Sequence, residues 1–310
     1  MVRTFLICLS QSARMRHFVT HNGAARQVAR RFIAGETLDE AVAVVRELNQ
    51  RGTQSVAALD HTGENVASED DARRAVLEYQ HLLQRIADEG IQSSISVKLT
   101  HVGLDFREDF CYDRVRAIVE MADGLGLTVE VDIEGSQYTQ ATLNIFHRLL
   151  DEHRNLRLAL QVYLFRTEND LKRLIERGGS VRLCKGAYDE PPTIAWRTKA
   201  EVDASYARLM DLMLAEESLR AGFYPALATH DHDLILRAER EVSRSGIGKD
   251  RFEFQMLYGV RRDWQQRLAD DGYRVRIYVP YGTQWYPYFM RRLAERPANA
   301  LFIVRAALGK

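Results

Sequence analysis

VRIYVPYGTQWYPYFMRRLAERPAN, Val275 to Asn299, runs from a short β-rich stretch through a glycine turn into a helical segment. Branched and aromatic residues favour the strand. Pro287 suits the first turn of the helix, where its missing N–H costs nothing. A strand feeding a helix through a tight turn is half of a βαβ unit, and upstream the same unit recurs. Strand-like runs fall at Ser55 to Leu59, Ser94 to Leu99, Thr128 to Ile133, Arg157 to Val162, Ser180 to Cys184, Pro225 to Thr229, Arg251 to Met256 and Val275 to Val279. Amphipathic segments lie between them: Tyr112 to Asp123, Thr139 to His153, Thr167 to Arg177, Lys199 to Ala221, Asp231 to Ser245, Arg261 to Asp270 and finally Pro287 to Glu295. Eight strands too apolar to be half-exposed, each followed by a helix, predict an α/β fold, a parallel (β/α)8 barrel.

The first helices carry their own punctuation. Thr37 and Glu40 form a capping box, with Leu38, Ala41, Val42, Val45 and Leu48 on one face and a stop at Gly52. Helical spacing also runs from Ser68 to Ala87 and ends at Gly90. Residues 1–35 are expected to form a cationic N-terminal helical arm, covering the barrel, and residues 36–310 the barrel itself. No repeat of solenoid length interrupts this pattern.

Composition excludes several function classes. Lys plus Arg and Asp plus Glu are both 43, so bulk charge attracts neither nucleic acid nor membrane. Cys8, Cys111 and Cys184 are far apart and lack metal-ligand spacing, which predicts reduced thiols and a cytoplasmic protein. The apolar run from Phe5 to Leu9 is too short for a signal-peptide core, and no transmembrane segment is expected.

In a barrel, chemistry collects at the C-terminal ends of the strands. Those ends carry Asp60, Lys98, Asp132 with Glu134, Gln161, Arg182 with Lys185, Thr229 with His230, Gln255 and Tyr278. Singly, each is a polar group capping a helix or closing a strand; eight together argue for a site. His230-Asp231-His232 is the one His-x-His pattern, but His232 falls in the next helix and no metal is assigned. Lys98 or Lys185 could form a Schiff base. Lys98, Arg182, Lys185, Arg291 and Arg292 together suit an anionic ligand, or two of them, better than a Schiff base. Glu295 lies three and four residues beyond the two arginines, within reach of both. Gly186, in the turn after the fifth strand, lets backbone approach a bulky planar ligand. No G-x-G-x-x-G follows a strand, so a dinucleotide would not sit in the Rossmann manner.

SVKLT (Ser96 to Thr100), VDIE (Val131 to Glu134), VRLCKGAY (Val181 to Tyr188), ATHD (Ala228 to Asp231), FEFQMLYGVR (Phe252 to Arg261) and the final YVPYG…YPYFMRRLAERPAN resemble the proline dehydrogenase family, short bacterial monofunctional type. The resemblance covers about Phe32 to Asn299. It implies a distorted barrel whose last helix sits over the mouth, noncovalent FAD, and oxidation of L-proline to 1-pyrroline-5-carboxylate. Electrons would pass to a membrane quinone, giving a peripheral contact with the inner membrane face. The product would pass to a separate 1-pyrroline-5-carboxylate dehydrogenase.

By the same resemblance, Lys98, Arg291 and Arg292 hold the proline carboxylate and Glu295 orients the arginines. Tyr278, Leu257 and Tyr188 line the pyrrolidine pocket, and Asp132 supports the cationic site. Glu64 pairs with Arg291 as a gate. Arg182 lies near the reactive flavin nitrogen, while Gln161, Lys185, Gly186, Ala187, Thr229 and His230 take the remainder of FAD. Cys184 stands where valine is expected, Asp189 where some relatives carry an aromatic, and Asp231 where others carry asparagine. Tyr278 favours proline over hydroxyproline, because its phenol crowds a ring hydroxyl. Two other readings are a lyase using Lys98 and a non-catalytic flavin-binding regulator.

Overall fold

The computed structural model describes residues 27–52 and 54–295, with side chains through Met290. The chain begins with α1 (Leu38–Gln50), β1 (Ser55–His61), α2 (Glu69–Glu89), β2 (Ser93–Val97), α3 (Glu108–Gly124) and β3 (Val129–Val131). It continues through α4 (Ser136–Glu152), β4 (Leu156–Gln161), α5 (Thr167–Glu176), β5 (Ser180–Cys184), α6 (Lys199–Leu214) and α7 (Glu216–Arg220). The remainder is β6 (Tyr224–Ala228), α8 (His232–Ser245), β7 (Glu253–Leu257), α9 (Arg262–Asp270), β8 (Val275–Tyr281) and α10 (Trp285–Glu295). All eight strands pair in parallel with their sequence neighbours, and β8 closes on β1 along Ser55↔Val275 to His61↔Tyr281. The α/β barrel expected from the sequence is the fold.

Local chemistry sets the helix ends. In α1 the Glu40 N–H donates to Thr37 Oγ1 at 3.3 Å and the Thr37 N–H to Glu40 Oε2 at 3.2 Å, the reciprocal capping box. Ser68 caps α2, which ends at Gly90 with φ 60°. Two expectations are corrected. The segment Lys199 to Ala221 is two helices, because Ala215 turns extended (φ −59°, ψ 141°) and the Ser218 hydroxyl donates back to Leu212 O at 2.7 Å. The last helix begins at Trp285, so Pro287 lies within its first turn and does not open it; those N–H groups lack intrahelical partners in either case.

The main apolar core fills the space between the sheet and the helices, with Leu59, Ile95, Val131, Leu158, Leu183 and Leu227 against Tyr79, Phe146 and Met210. Alternate strand residues point into the barrel, and several are charged. Arg157 Nη1 bridges Glu253 Oε1 at 2.6 Å and Glu130 Oε1 at 3.2 Å, while Arg276 Nε reaches Glu253 at 2.7 Å. The Ser94 hydroxyl and Gln255 Nε2 donate to Glu130 at 2.7 and 3.0 Å. The lower barrel is therefore held by paired charges, each satisfied by neighbours.

A second cluster joins Ala29, Phe32 and Ile33 to Val260, Trp285, Tyr286, Phe289 and Met290. The Ala34 N–H donates to Pro280 O at 2.9 Å and the Gly282 N–H to Gly35 O at 3.0 Å. Of the expected arm, residues 1–26 lie outside the described residues; the remainder packs on α10 and the turn after β7. Gly259 in that turn has φ +76°, and a Cβ there would sit 1.6 Å from Arg31 O. Gly259→Ala should therefore destabilise the protein by more than about 2 kcal/mol, read as a lowered thermal midpoint; an unchanged midpoint would show that the 27–34 segment yields freely.

Candidate active site

Lys98 ends β2 as the N-cap of a 3-10 turn (Leu99–Val102), which stops its backbone at the barrel mouth. Its Nζ lies 2.7 Å from Asp60 Oδ1, at the end of β1, and 3.3 Å from Asp132 Oδ2, just past β3. Asp132 accepts from the Ser96 hydroxyl at 2.7 Å and the Tyr278 hydroxyl at 2.9 Å, and pairs closely with Arg182. Arg182 also reaches Glu130 Oε2 at 3.4 Å, and its guanidinium carbon lies 5.4 Å from the Tyr278 ring centroid. Lys98 and Asp132 lie just past the ends of β2 and β3, whereas Arg182 and Tyr278, expected at strand ends, project from the middles of β5 and β8; four strands thus bring the four residues together. Asp132 is 9% exposed and Arg182 5%, so these charges interact through protein more than water.

Protonation states follow. Burial alone would raise the Asp132 pKa, but Arg182 and Lys98 overcome it and hold the carboxyl at about 2. Burial works against the Lys98 ammonium, yet Asp60, Tyr278 and Asp132 raise its pKa well above the ordinary lysine value. Arg182 is likewise held charged against burial by Asp132 and Glu130. Burial first and Asp132 second keep the Tyr278 phenol protonated.

At the neighbouring strand ends, Gln161 donates to Glu134 O at 3.0 Å and accepts the Ala187 N–H at 3.3 Å. Lys185 pairs with Asp203, and with Asp231 at 2.7 Å. Thr229 Oγ1 accepts the Asp231 N–H at 3.1 Å. His230 Nε2 accepts the Leu257 N–H at 2.8 Å, so the ring proton belongs on Nδ1. Cys184 is half-buried, its thiol pushed up to about 11 by burial. Gly186, at φ +118°, lies over the Tyr163 ring, and a Cβ there would meet Cδ1 at 2.3 Å. His230-Asp231-His232 does not converge: Asp231 caps α8, and His232 stacks edge-on against Trp264, ring centroids 4.7 Å apart.

Glu64 shares a cavity of about 50 Å³ with Asp60, Lys98, Gln284, Pro287 and Tyr288, which brings the first turn of α10 to the barrel mouth beside Lys98. Leu257 and Tyr278 pack together against the α10 cluster. Tyr188 is half-buried in the loop after β5. Arg291, Arg292 and Glu295 fall on α10, but their side chains lie outside the described residues.

Ser96 and Glu130 belong to the cluster, yet strand-end reasoning passed over them, because they lie within β2 and β3. The available signal was alternation: SSISV and VEV place polar residues at inward positions of otherwise apolar strands.

Glu134 accepts from the Thr100 N–H at 3.1 Å and the Thr100 hydroxyl at 2.6 Å, but burial prevails and raises its pKa to about 7. A raised carboxyl binds more protons folded than unfolded between about pH 4.5 and 7, so stability falls as pH rises through that window. The thermal midpoint of Glu134→Gln relative to wild type should rise across that window and level off above it. A difference independent of pH would refute the assignment.

The proline dehydrogenase family model matches residues 41–305. Proline dehydrogenase 1 of Bacillus subtilis (strain 168) is 39% identical over 310 residues, covering 100% of both chains. The proline dehydrogenase of Deinococcus radiodurans is 39% identical over 286 residues, 91% of this chain and 90% of that one. The solved structure of proline utilization A from Bdellovibrio bacteriovorus inactivated by N-propargylglycine superimposes with a TM-score of 0.81 at 27% identity. That match covers 89% of this chain and 33% of the other, so the chain spans about one third of that larger protein. An eight-stranded parallel barrel with buried cations at its mouth, matched along nearly its whole length, makes this chain an enzyme of the proline dehydrogenase family.

Proposed function

We propose that this enzyme oxidises L-proline to 1-pyrroline-5-carboxylate with noncovalently bound FAD. The observation that carries the reading is the convergence of Lys98, Asp132, Arg182 and Tyr278 at one mouth of the barrel. The residues around β4 to β6 fit the cofactor: Lys185, the Thr229 hydroxyl and the His230 ring suit a pyrophosphate and its sugars. Gly186, whose missing Cβ lets its backbone lie against the Tyr163 ring, shapes the loop between them. The bound flavin supplies the acceptor for a hydride from the carbon next to the proline nitrogen. Gln161, Cys184 and Ala187 would complete the cofactor contacts in this reading, and Arg182 would offer the flavin a fixed cation.

Charge balance defines the substrate's needs. Lys98, Arg157, Arg182 and Arg276 are matched by Asp60, Glu130, Asp132 and Glu253 within the barrel. A substrate carboxylate is one anion more, and Arg291 and Arg292 on α10, oriented by Glu295, supply the further cations. Lys98 provides the third donor, Tyr278, Leu257 and Tyr188 pack the pyrrolidine ring, and Glu64 gates the mouth with Arg291. Residues 1–35 act as the covering arm and 36–310 as the catalytic barrel. A quinone at the inner membrane face takes the electrons, and a separate dehydrogenase consumes the product. Among the described residues, no helix is long and apolar enough to cross a membrane.

Lys98 also decides against the lyase reading. With its ammonium bound by Asp60 and Asp132, it lacks the free amine that attacks a carbonyl.

The visible spectrum of the FAD-loaded enzyme should show a flavin band that bleaches when L-proline is added without oxygen. A band indifferent to proline would leave a flavin-binding regulator. Lys98→Met should raise KM for proline more than about tenfold with flavin binding kept; an unchanged KM would remove Lys98 from the carboxylate site. Hydride loss from the carbon needs the lone pair of the neutral amine, and Asp132, at about 2, is too weak a base to take the ammonium proton. The kcat/KM should rise with pH on the alkaline side of neutrality, and a flat profile would overturn this step.

A further inference from the structure

Outside the proposed site, three side chains from separate elements meet beside the barrel mouth. His61 ends β1, Glu78 lies on α2, and His101 sits in the 3-10 turn after Lys98. One ligand atom from each falls within 4.8 Å of those of the other two. The His61 Nδ1 is buried and lies 3.2 Å from Glu78 Oε2, yet it makes no hydrogen bond with acceptable geometry. The two groups thus lie close together without a hydrogen bond between them that ties up either. The Tyr79 hydroxyl takes up His101 Nδ1 at 3.1 Å, which fixes the ring and leaves Nε2 as its ligating atom. His101 is 6% exposed, whereas the Glu78 side chain is 54% exposed and leaves a path from solvent.

We propose that His61, Glu78 and His101 form a binding site for a divalent transition-metal cation of the zinc class. Two imidazoles and one carboxylate match the preference of zinc for nitrogen and oxygen donors, with a fourth position left for water. A metal there would tie α2 to the end of β1 and to the turn after β2. Those are the segments from which Asp60 and Lys98 reach each other, so the cation acts as a structural clamp beside the mouth. The proposal is independent of the substrate and the cofactor.

Titration of metal-free, FAD-loaded enzyme with zinc ions should reveal one saturable site per chain. Glu78→Gln and His61→Gln should each weaken binding by more than about tenfold. Glu78 is exposed, so its substitution tests the site without threatening the fold. Zinc should also raise the thermal midpoint of wild type and leave that of the two variants where it was. Absence of saturable binding to wild type, or binding of equal strength in both variants, would overturn the proposal.

Discussion

Asp132 carries more of this structure than any other side chain at the mouth. One carboxylate receives Arg182 from β5, the Tyr278 hydroxyl from β8, and the Ser96 hydroxyl and Lys98 from β2 and its end. A buried carboxylate is costly to desolvate and is tolerated only where such partners surround it. The cost runs in both directions: each partner is itself a buried polar group whose position depends on that acid. The arrangement fixes the side chains at their strand ends more tightly than apolar packing could, because hydrogen bonds are directional.

The same constraint extends down the barrel. Glu130 links Arg182 above to Arg157 and Arg276 below, and Glu253 closes the lower layer. The upper functional layer thus rests on a lower one held by ion pairs, while the greasy core lies outside the sheet under the helices. Conventional barrels fill the interior with branched aliphatic residues. Here charge pairing replaces some of that filling, so cationic side chains at the mouth are supported from beneath by anions of fixed position. Among the described residues, the internal charges at the mouth are thus already balanced.

The sequence made much of this legible, for reasons that differ from residue to residue. Strand identity followed from short apolar runs bounded by Gly and charged residues, and all eight runs are strands, although the ends shift by a few residues. Thr37 with Glu40 and Ser68 with Gly90 were legible because capping depends on neighbours in the chain. The break at Ala215 was hidden because alanine carries no helix-breaking signal. Lys98, Asp132, Arg182 and Tyr278 could be named as strand-end residues, but the sharing of Asp132 among them could not. Ser96 and Glu130 were concealed because they lie within β2 and β3 and not at the ends where barrel chemistry is sought.

Sequence by itself determined the alternation of strand and helix, the helix caps and the residue types delivered to the strand ends, because these depend on periodicity and on interactions within a few residues. Closure of β8 on β1 is a tertiary event, and it alone brings Tyr278 to Asp132 across 146 positions of chain. The pairing of Lys98 with Asp60, the charged column beneath Arg182, and the meeting of His61, Glu78 and His101 belong to the same class. Each joins residues distant in the chain through contacts that exist only once the barrel has closed, and the strength of each depends on a burial that only the folded chain provides.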